Sequence, residues 1–219
     1  MADASGPSLT ERAYKAIEER IVTLQLDPGQ LLSEHSLAER LKIGRTPIRE
    51  ALQRLARDGL VVILPRRGVL VSEINLLTHL ELLEVRREIE RLVARAAAER
   101  ANATERKAFA KIAKGMEAAA KKNQDIAFMR LDRELNQAIA KAARNQFARK
   151  TMALMAGLSR RFWYSHYKDV ADLPLCARLH AELARTIAGG DCEGAAAASD
   201  KLIDYIEEFA RATVESRVR

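Results

Sequence analysis

Cysteine, proline and aromatic residues are scarce in this 219-residue chain, and long apolar runs are absent. The two cysteines, Cys176 and Cys192, lie in no CxxC or zinc-type spacing, which disfavours a disulfide framework and favours a reduced, cytoplasmic protein. No apolar stretch approaches the roughly 20 residues that a membrane helix needs, and the polar start is unlike a signal peptide. We therefore expect no membrane segment, and a disordered leader over residues 1–8.

Proline is almost confined to the first third of the chain, and Pro174 is the only one after residue 76. Beyond Leu76 the apolar residues recur with a helical period throughout. The period predicts six helices, near residues 78–101, 104–122, 125–143, 146–168, 173–189 and 192–216. Start signals precede or begin four of them: a capping box at Thr78-x-x-Glu81, then Thr104, Asn145 and Asp191.

The first 75 residues show three shorter helical segments followed by a β-hairpin. A helix is expected within residues 9–26, since apolar residues recur there at Ala13, Ile17, Ile21 and Leu24. Ser33 can cap a second helix that runs to about Lys42, before the break at Gly44. A third helix is expected from Arg45 or Thr46 to Asp58, with Gly59 as its stop.

The aliphatic runs Leu60–Leu64 and Val69–Glu73, around the turn Pro65-Arg66-Arg67-Gly68, predict a hairpin, which is the only convincing β structure that the sequence indicates. Helix, turn, helix and hairpin in this order are typical of a winged helix-turn-helix, here expected over residues 9–75. The fold class is therefore mostly α, with an all-helical antiparallel bundle over residues 76–219 and a boundary between Ser72 and Leu77.

Positive charge is concentrated in the predicted helix-turn-helix. The net charge is +7 and the pI about 9.6, which favours polyanionic partners. Between Arg40 and Arg67 there are eight Lys or Arg against two acidic residues, whereas the last 144 residues mix 26 basic with 20 acidic groups. The mixed pattern is typical of solvated helix faces, and the concentrated one indicates a nucleic-acid surface.

The third predicted helix has two opposite faces. Its apolar side is expected in the core and consists of Ile48, Ala51, Leu52 and Leu55. Its polar stripe consists of Thr46, Arg49, Gln53 and Arg57. In the major groove, arginine can form paired hydrogen bonds with guanine, and glutamine can do the same with adenine. In the hairpin, Arg66, Arg67 and the small Gly68 suit a wing that enters the minor groove. Each of these residues alone is compatible with a solvated surface; their combination favours DNA binding.

The stretch Leu37-Ala38-Glu39-Arg40-Leu41, with Arg45-Thr46-Pro47-Ile48-Arg49-Glu50-Ala51-Leu52 and Asp58-Gly59-Leu60, resembles the GntR family of bacterial transcription regulators. The resemblance covers about residues 10–73. It implies DNA contacts at His35, Arg45, Thr46, Arg49 and the wing glycine Gly68. One departure is Gly44, where the family usually carries Ser or Thr, so that a hydroxyl able to bind phosphate is lost.

The C-terminal helices resemble the FCD ligand-binding domain of the FadR subgroup, and the six predicted helices match its shorter VanR-type variant. Three stretches carry the likeness: Val85 to Glu90, Leu131 to Asn136 with Ala142 to Asn145, and Leu179-His180 with Ile187 to Asp191. The resemblance implies an effector-binding and dimerisation domain.

Many such domains hold a divalent metal through one Asp and three His. Carried over by position, Asp132 and His180 are ligands, whereas Asn136 and Leu202 stand where the other two histidines are expected. Asn is a poor ligand for zinc or nickel and Leu is none, so a divalent metal is possible but not favoured, and the cofactor is unknown.

Two interpretations of these interior residues remain open. Asp132, Asn136 and His180 could hydrogen-bond an organic effector directly, with Arg86 pairing its carboxylate. Alternatively the polar groups satisfy one another, with Arg86 an ordinary partner of Glu90 at i+4. His79 is expected on the surface.

These observations together favour a cytoplasmic, homodimeric, non-enzymatic transcription regulator. It is expected to act as a repressor that binds double-stranded operator DNA under the control of a small carboxylate effector. Two alternatives have less support: a metal-dependent enzyme using Asp132 and His180, and a DNA-binding protein without an effector.

Overall fold

The computed structural model describes the backbone of residues 6–170 and 172–218, and their side chains except those of 169–170 and 214–218. Within these ranges the chain forms nine α-helices and one three-stranded sheet. It divides into two compact units. The first comprises the residues up to Asn75 together with 160–165, and the second comprises the remainder. No helix among the described residues is long and apolar enough to cross a membrane.

The first unit packs three helices on a small antiparallel sheet. The elements are α1 (Leu9–Val22), β1 (Leu31–Leu32), α2 (Glu34–Leu41), α3 (Arg45–Arg57), β2 (Val61–Leu64) and β3 (Gly68–Val71). The sheet order is β1-β3-β2. Its core is built from fully buried aliphatic side chains, chiefly Ile17, Ile21, Ile48, Leu52 and Leu55. Residues 1–5 of the predicted leader lie outside the described residues, and Ser8 caps α1 by accepting from the Glu11 amide at 3.1 Å.

Two expectations for this unit were wrong. The first helix ends at Val22, because Leu24 adopts a positive φ of 55° and the amides of Gln25 and Leu26 turn back to the carbonyl of Arg20. Leu26, not Leu24, therefore enters the core.

The hairpin is also not the only β structure, since β1 pairs with β3 through Leu31↔Leu70 and Leu32↔Val69. A strand of two residues is too short to show an alternating pattern in the sequence.

A polar cluster ties α1 to α3. Arg54 donates to Glu11 at 2.7 Å, and its guanidinium carbon lies 3.9 Å from the ring centroid of Tyr14. The hydroxyl of Tyr14 donates in turn to Asp58 at 2.8 Å. These contacts join the last turn of α3, and the Asp58 that follows it, to the first half of α1.

Every regular element that the structure describes in the second unit is a helix. The helices are α4 (Leu76–Arg100), α5 (Ala103–Lys121), α6 (Asp125–Ala142), α7 (Gln146–Val170), α8 (Leu173–Gly189) and α9 (Cys192–Val218), with 160–165 of α7 belonging to the first unit. Asn145 and Asp191 cap α7 and α9 as predicted. The other two start signals were wrong: α4 begins before Thr78, and a capping box of Asn102 and Glu105, not Thr104, begins α5.

One arginine binds the ends of two helices in this unit. Arg106, in the first turn of α5, donates to the carbonyls of Ala98 at 2.8 Å and Ala101 at 3.0 Å, at the end of α4. Its Nη1 also donates to the carbonyl of Ala188 at 3.3 Å, at the end of α8. Carbonyls at helix ends have no partner within their own helix, so a cation there satisfies them and opposes the helix dipole.

Candidate functional site

The helix α3 exposes one complete polar stripe. The four predicted core residues are buried: Ile48, Ala51, Leu52 and Leu55. The four residues of the predicted DNA-contacting stripe are all exposed: Thr46, Arg49, Gln53 and Arg57. Arg45 at the start of the helix and His35 on α2 are exposed as well, and His35 lies 3.4 Å from Glu39. The helix can therefore present side chains to a groove of DNA without disturbing the core.

Arg49 is held by a residue of the preceding helix. Its Nε lies 3.1 Å from Oε1 and 3.2 Å from Oε2 of Glu34, and its Nη2 donates to Oε2 at 2.9 Å. Hydrogen bonding to Arg49 lowers the pKa of Glu34, and the same bonds raise the pKa of Arg49. Both groups therefore remain charged throughout the physiological range of pH.

The wing turn displays two arginines and requires a glycine. Arg66 and Arg67 are exposed in the three-residue turn, which the bond from the Arg67 amide to the Leu64 carbonyl closes at 3.0 Å. Gly68 has φ +107°, and a Cβ there would lie 3.1 Å from the carbonyl oxygen of Leu32. The positive φ and the nearby carbonyl therefore explain the glycine at position 68 without reference to DNA. Its predicted approach to the minor groove stays a prediction.

Gly44 begins α3 without a side-chain cap. It stands at the N-cap position with φ −58°, and no side chain there accepts an amide hydrogen bond. A Cβ at Gly44 would meet only Pro47 atoms at 3.8 Å and beyond, which is ordinary contact. The backbone conformation and the available space would therefore both accept a Ser at this position. Gly44 differs from such a Ser only in lacking the hydroxyl group.

The second unit brings three of the predicted interior residues together. Asp132 and His180 are buried, and Asn136 is half-buried. Oδ1 of Asp132 accepts from Asn136 Nδ2 at 2.9 Å and lies 3.2 Å from His180 Nε2. Asp132 and Asn136 share one face of α6 because they are four residues apart.

His180 is held on both sides of its ring. Nδ1 lies 2.8 Å from the carbonyl oxygen of Cys176, which can only accept, so this nitrogen carries a proton. Nε2 faces the Asp132 carboxylate, and this arrangement is favourable with a proton on Nε2 as well. Burial lowers the pKa of His180, but its interactions with Cys176 and Asp132 outweigh burial and raise the pKa well above 6.5.

These residues do not fit a transition-metal site. Asp132 and His180 are the only two strong donors at the four positions, since Asn136 carries an amide and Leu202 is an apolar residue buried on α9. Among the described residues no group of three or more His, Cys, Asp or Glu could hold a metal ion. The hydrogen bonds of His180 also direct a proton, not a lone pair, toward Asp132.

Arg86 belongs to a second buried group. Its Nε donates to Glu90 at 2.5 Å and its Nη1 to the hydroxyl of Ser159. Arg86, Glu90 and Ser159 are all buried. The i+4 pairing with Glu90 is thus present, and an effector carboxylate that binds Arg86 has to share or replace that partner.

The expectation that His79 lies on the surface was wrong. His79 is buried on α4, where desolvation and the charges of Arg86 and His166 lower its pKa to about 3. A signal was present in the sequence, because Leu83 and Arg86 follow His79 at the spacings of four and seven that mark one helix face. Glu34 and Ser159 were also missed, since each meets its arginine from a different helix.

Comparison with known proteins gives matches along most of the chain. The family model described as "Bacterial regulatory proteins, gntR family" matches residues 9–71, and the FCD domain model matches residues 81–205. The HTH-type transcriptional repressor RspR of Escherichia coli K12 is 26% identical over 203 residues, which cover 93% of this chain and 89% of RspR.

Two further matches extend over similar lengths. The uncharacterized HTH-type transcriptional regulator YdfH of Escherichia coli O6:H1 is 26% identical over 205 residues, covering 94% of this chain and 90% of YdfH. Among solved structures, E. coli McbR/YncC superimposes with a TM-score of 0.81 at 19% identity, over 95% of this chain and 100% of that one. The latter likeness concerns the fold alone.

Proposed function

The chain belongs to the GntR family of bacterial regulators that carry an FCD domain, and from this premise we propose that it is an effector-controlled repressor of transcription. That it is a transcription regulator with a DNA-binding helix-turn-helix follows from the family. The operator contacts, the effector, the dimer and the sign of regulation are the proposed part.

We propose that α3 enters the major groove and that the wing enters the adjacent minor groove. The observation that carries this proposal is the complete division of α3 into a buried apolar side and an exposed polar stripe. Arg49 and Gln53 would contact base edges, while Arg45, Thr46 and Arg57 would contact phosphates. His35 extends the phosphate contacts from α2, and Arg66 and Arg67 from the wing.

The active form is proposed to be a homodimer. One recognition helix reads only a few base pairs, so two copies related by a two-fold axis are needed for an operator of useful length. The second unit exposes large apolar side chains on α4 and α7, among them Leu77 and Phe147, each about 70% exposed. Exposed apolar residues of this kind are suited to burial against a second copy.

The second unit is proposed to bind a small organic acid without a metal. Arg86 would pair with the effector carboxylate, and Asp132, Asn136 and His180 would hydrogen-bond its polar groups. The support is chemical: Arg86, Asp132 and His180 are buried and bring charge and hydrogen-bonding capacity into the interior of the second unit. Binding that differs between two conformations of the dimer would then change operator affinity.

The proposed sign of regulation rests on a relative. RspR is described as a repressor and is similar to this chain along almost its whole length. Such a protein would act on the chromosome, in the cytoplasm.

The test begins with selection of bound duplexes from a random-sequence library by the full-length protein. Arg49→Ala should weaken binding to the selected site by about tenfold or more, because one bidentate base contact is lost. Arg12→Ala, an exposed arginine on α1 outside the proposed surface, serves as the control and should change affinity much less. If no sequence is enriched, or if both variants behave alike, the proposed reading surface is wrong.

A further inference from the structure

We propose that Glu34 is a specificity-determining residue, which positions the guanidinium of Arg49 so that it reads one guanine. The inference rests on the proposed contact of Arg49 with DNA. It goes further by giving a residue of α2, with no base contact of its own, a part in sequence recognition.

The bonding pattern leaves the reading edge of Arg49 open. A guanidinium offers two bidentate edges: a side edge formed by Nε and Nη2, and an end formed by Nη1 and Nη2. Glu34 occupies the side edge, with distances of 3.1 and 3.2 Å from Nε and 2.9 Å from Nη2. The end remains available for O6 and N7 of a guanine, which accept two parallel hydrogen bonds.

Fixing this side chain favours base contacts over backbone contacts. A long arginine on an exposed helix face has many rotamers, and several of them reach phosphate oxygens that carry no sequence information. The Glu34 carboxylate restrains these rotamers. The negative charge of Glu34 also repels a nearby phosphate. This repulsion is offset only where Arg49 can form its hydrogen bonds with the correct base.

A contribution to fold stability explains the ion pair of Arg49 and Glu34 less well than a role in DNA recognition does. The side chain of Arg49 is 61% exposed and that of Glu34 is 27% exposed. Ion pairs with such exposure contribute little to stability. The start of α2 is already capped by the Ser33 hydroxyl, which accepts from the Ser36 amide. The pair is therefore better explained by what it does to Arg49.

The experiment measures discrimination separately from affinity. Dissociation constants are determined for the library-selected duplex, for duplexes with each guanine of that site replaced in turn, and for a random-sequence duplex. The proteins are the full-length wild type, Glu34→Gln, Arg49→Ala and Glu50→Gln. Glu50 neighbours Arg49 in the sequence and accepts from Thr10 at 2.6 Å, so Glu50→Gln removes the same charge without touching Arg49.

We expect two of the variants, Glu34→Gln and Arg49→Ala, to lose discrimination at the same base. Glu34→Gln should reduce the preference for one guanine by about tenfold, the same guanine whose preference Arg49→Ala abolishes. Its affinity for random-sequence DNA should be unchanged or higher. Glu50→Gln should keep the wild-type discrimination, and thermal melting of each variant should show that it is folded.

Three outcomes separate the two proposals. If Glu34→Gln discriminates as well as the wild type, Glu34 is not a positioning residue, although the proposed function stands. If Glu50→Gln loses the same preference, the effect is one of charge and the inference is wrong. If the wild type itself selects no sequence, the proposed function fails before Glu34 is tested.

Discussion

The Nε2 atom of His180 lies 3.2 Å from Oδ1 of Asp132, and these are two of the residues at positions that the resemblance to FCD domains implies for metal ligands. Here the two residues interact directly, and Asn136 donates to the same carboxylate oxygen. The interaction connects α6 with α8.

The first prediction is that a single substitution creates a metal site. Asn136→His adds a third strong donor beside Asp132 and His180, so Zn²⁺ or Ni²⁺ should raise the melting temperature of this variant. The wild type should show no such shift. Gln137→His places the same side chain one residue further, on an exposed position, and should also show none. A purified wild type with one equivalent of tightly bound metal would contradict the absence of a site.

The second prediction concerns stability above neutral pH. The pKa of His180 is raised in the folded state, so its contribution is complete below pH 6.5 and is lost as the pH rises through the folded value. The free energy of unfolding should therefore decline above pH 6.5, by at most about 1.4 kcal/mol per unit from this group. Denaturant titrations should show a shallower decline for Asp132→Asn; an equal decline would exclude His180 as the cause.

The third prediction has the opposite sign and concerns His79. Its pKa is lowered to about 3 by burial and by the charges of Arg86 and His166, so the unfolded chain binds a proton below pH 6.5 that the folded chain does not. Stability should fall between pH 6.5 and 4.5 by up to about 1.4 kcal/mol per unit more in the wild type than in His79→Gln. His35→Gln, at an exposed position, should retain the wild-type slope.

The fourth prediction restores the hydroxyl that α3 lacks. Gly44→Ser fits the backbone and the space, and should stabilise the protein by only a few tenths of a kcal/mol, since Gly is itself an acceptable cap. Operator affinity should rise several-fold if the hydroxyl reaches a phosphate. The salt dependence should be unchanged because no charge is added. Gly44→Ala lacks the hydroxyl, and an equal gain with Ala would exclude this explanation.

The sequence predicted periodic features well and contacts between elements poorly. All six helices of the second unit appear within two residues of the predicted bounds, because each repeats its apolar period over four or more turns. The two-residue strand β1 shows no period. The polar side chains of His79, Arg86 and Glu90 interrupt the apolar stripe of α4, which explains why the burial of His79 was missed.

In the candidate site, too, features within one helix follow from the sequence, whereas contacts between helices do not. The exposed and buried faces of α3 follow from its sequence alone. The bond between Glu34 and Arg49 depends on the angle between two helices, and the bond between Asp132 and His180 depends on the packing of α6 against α8. No spacing along the chain encodes either of these geometries.

The hydrogen bonds of Arg106 should couple the opening of two helix ends, that of α4 and that of α8. Its guanidinium binds carbonyls at the ends of α4 and α8 from the first turn of α5. Fraying of either helix end then costs bonds to the same side chain, so amide exchange at the two ends should occur as one cooperative event. In Arg106→Gln the two ends should exchange independently, each at its own rate, while the middle of the bundle keeps its protection.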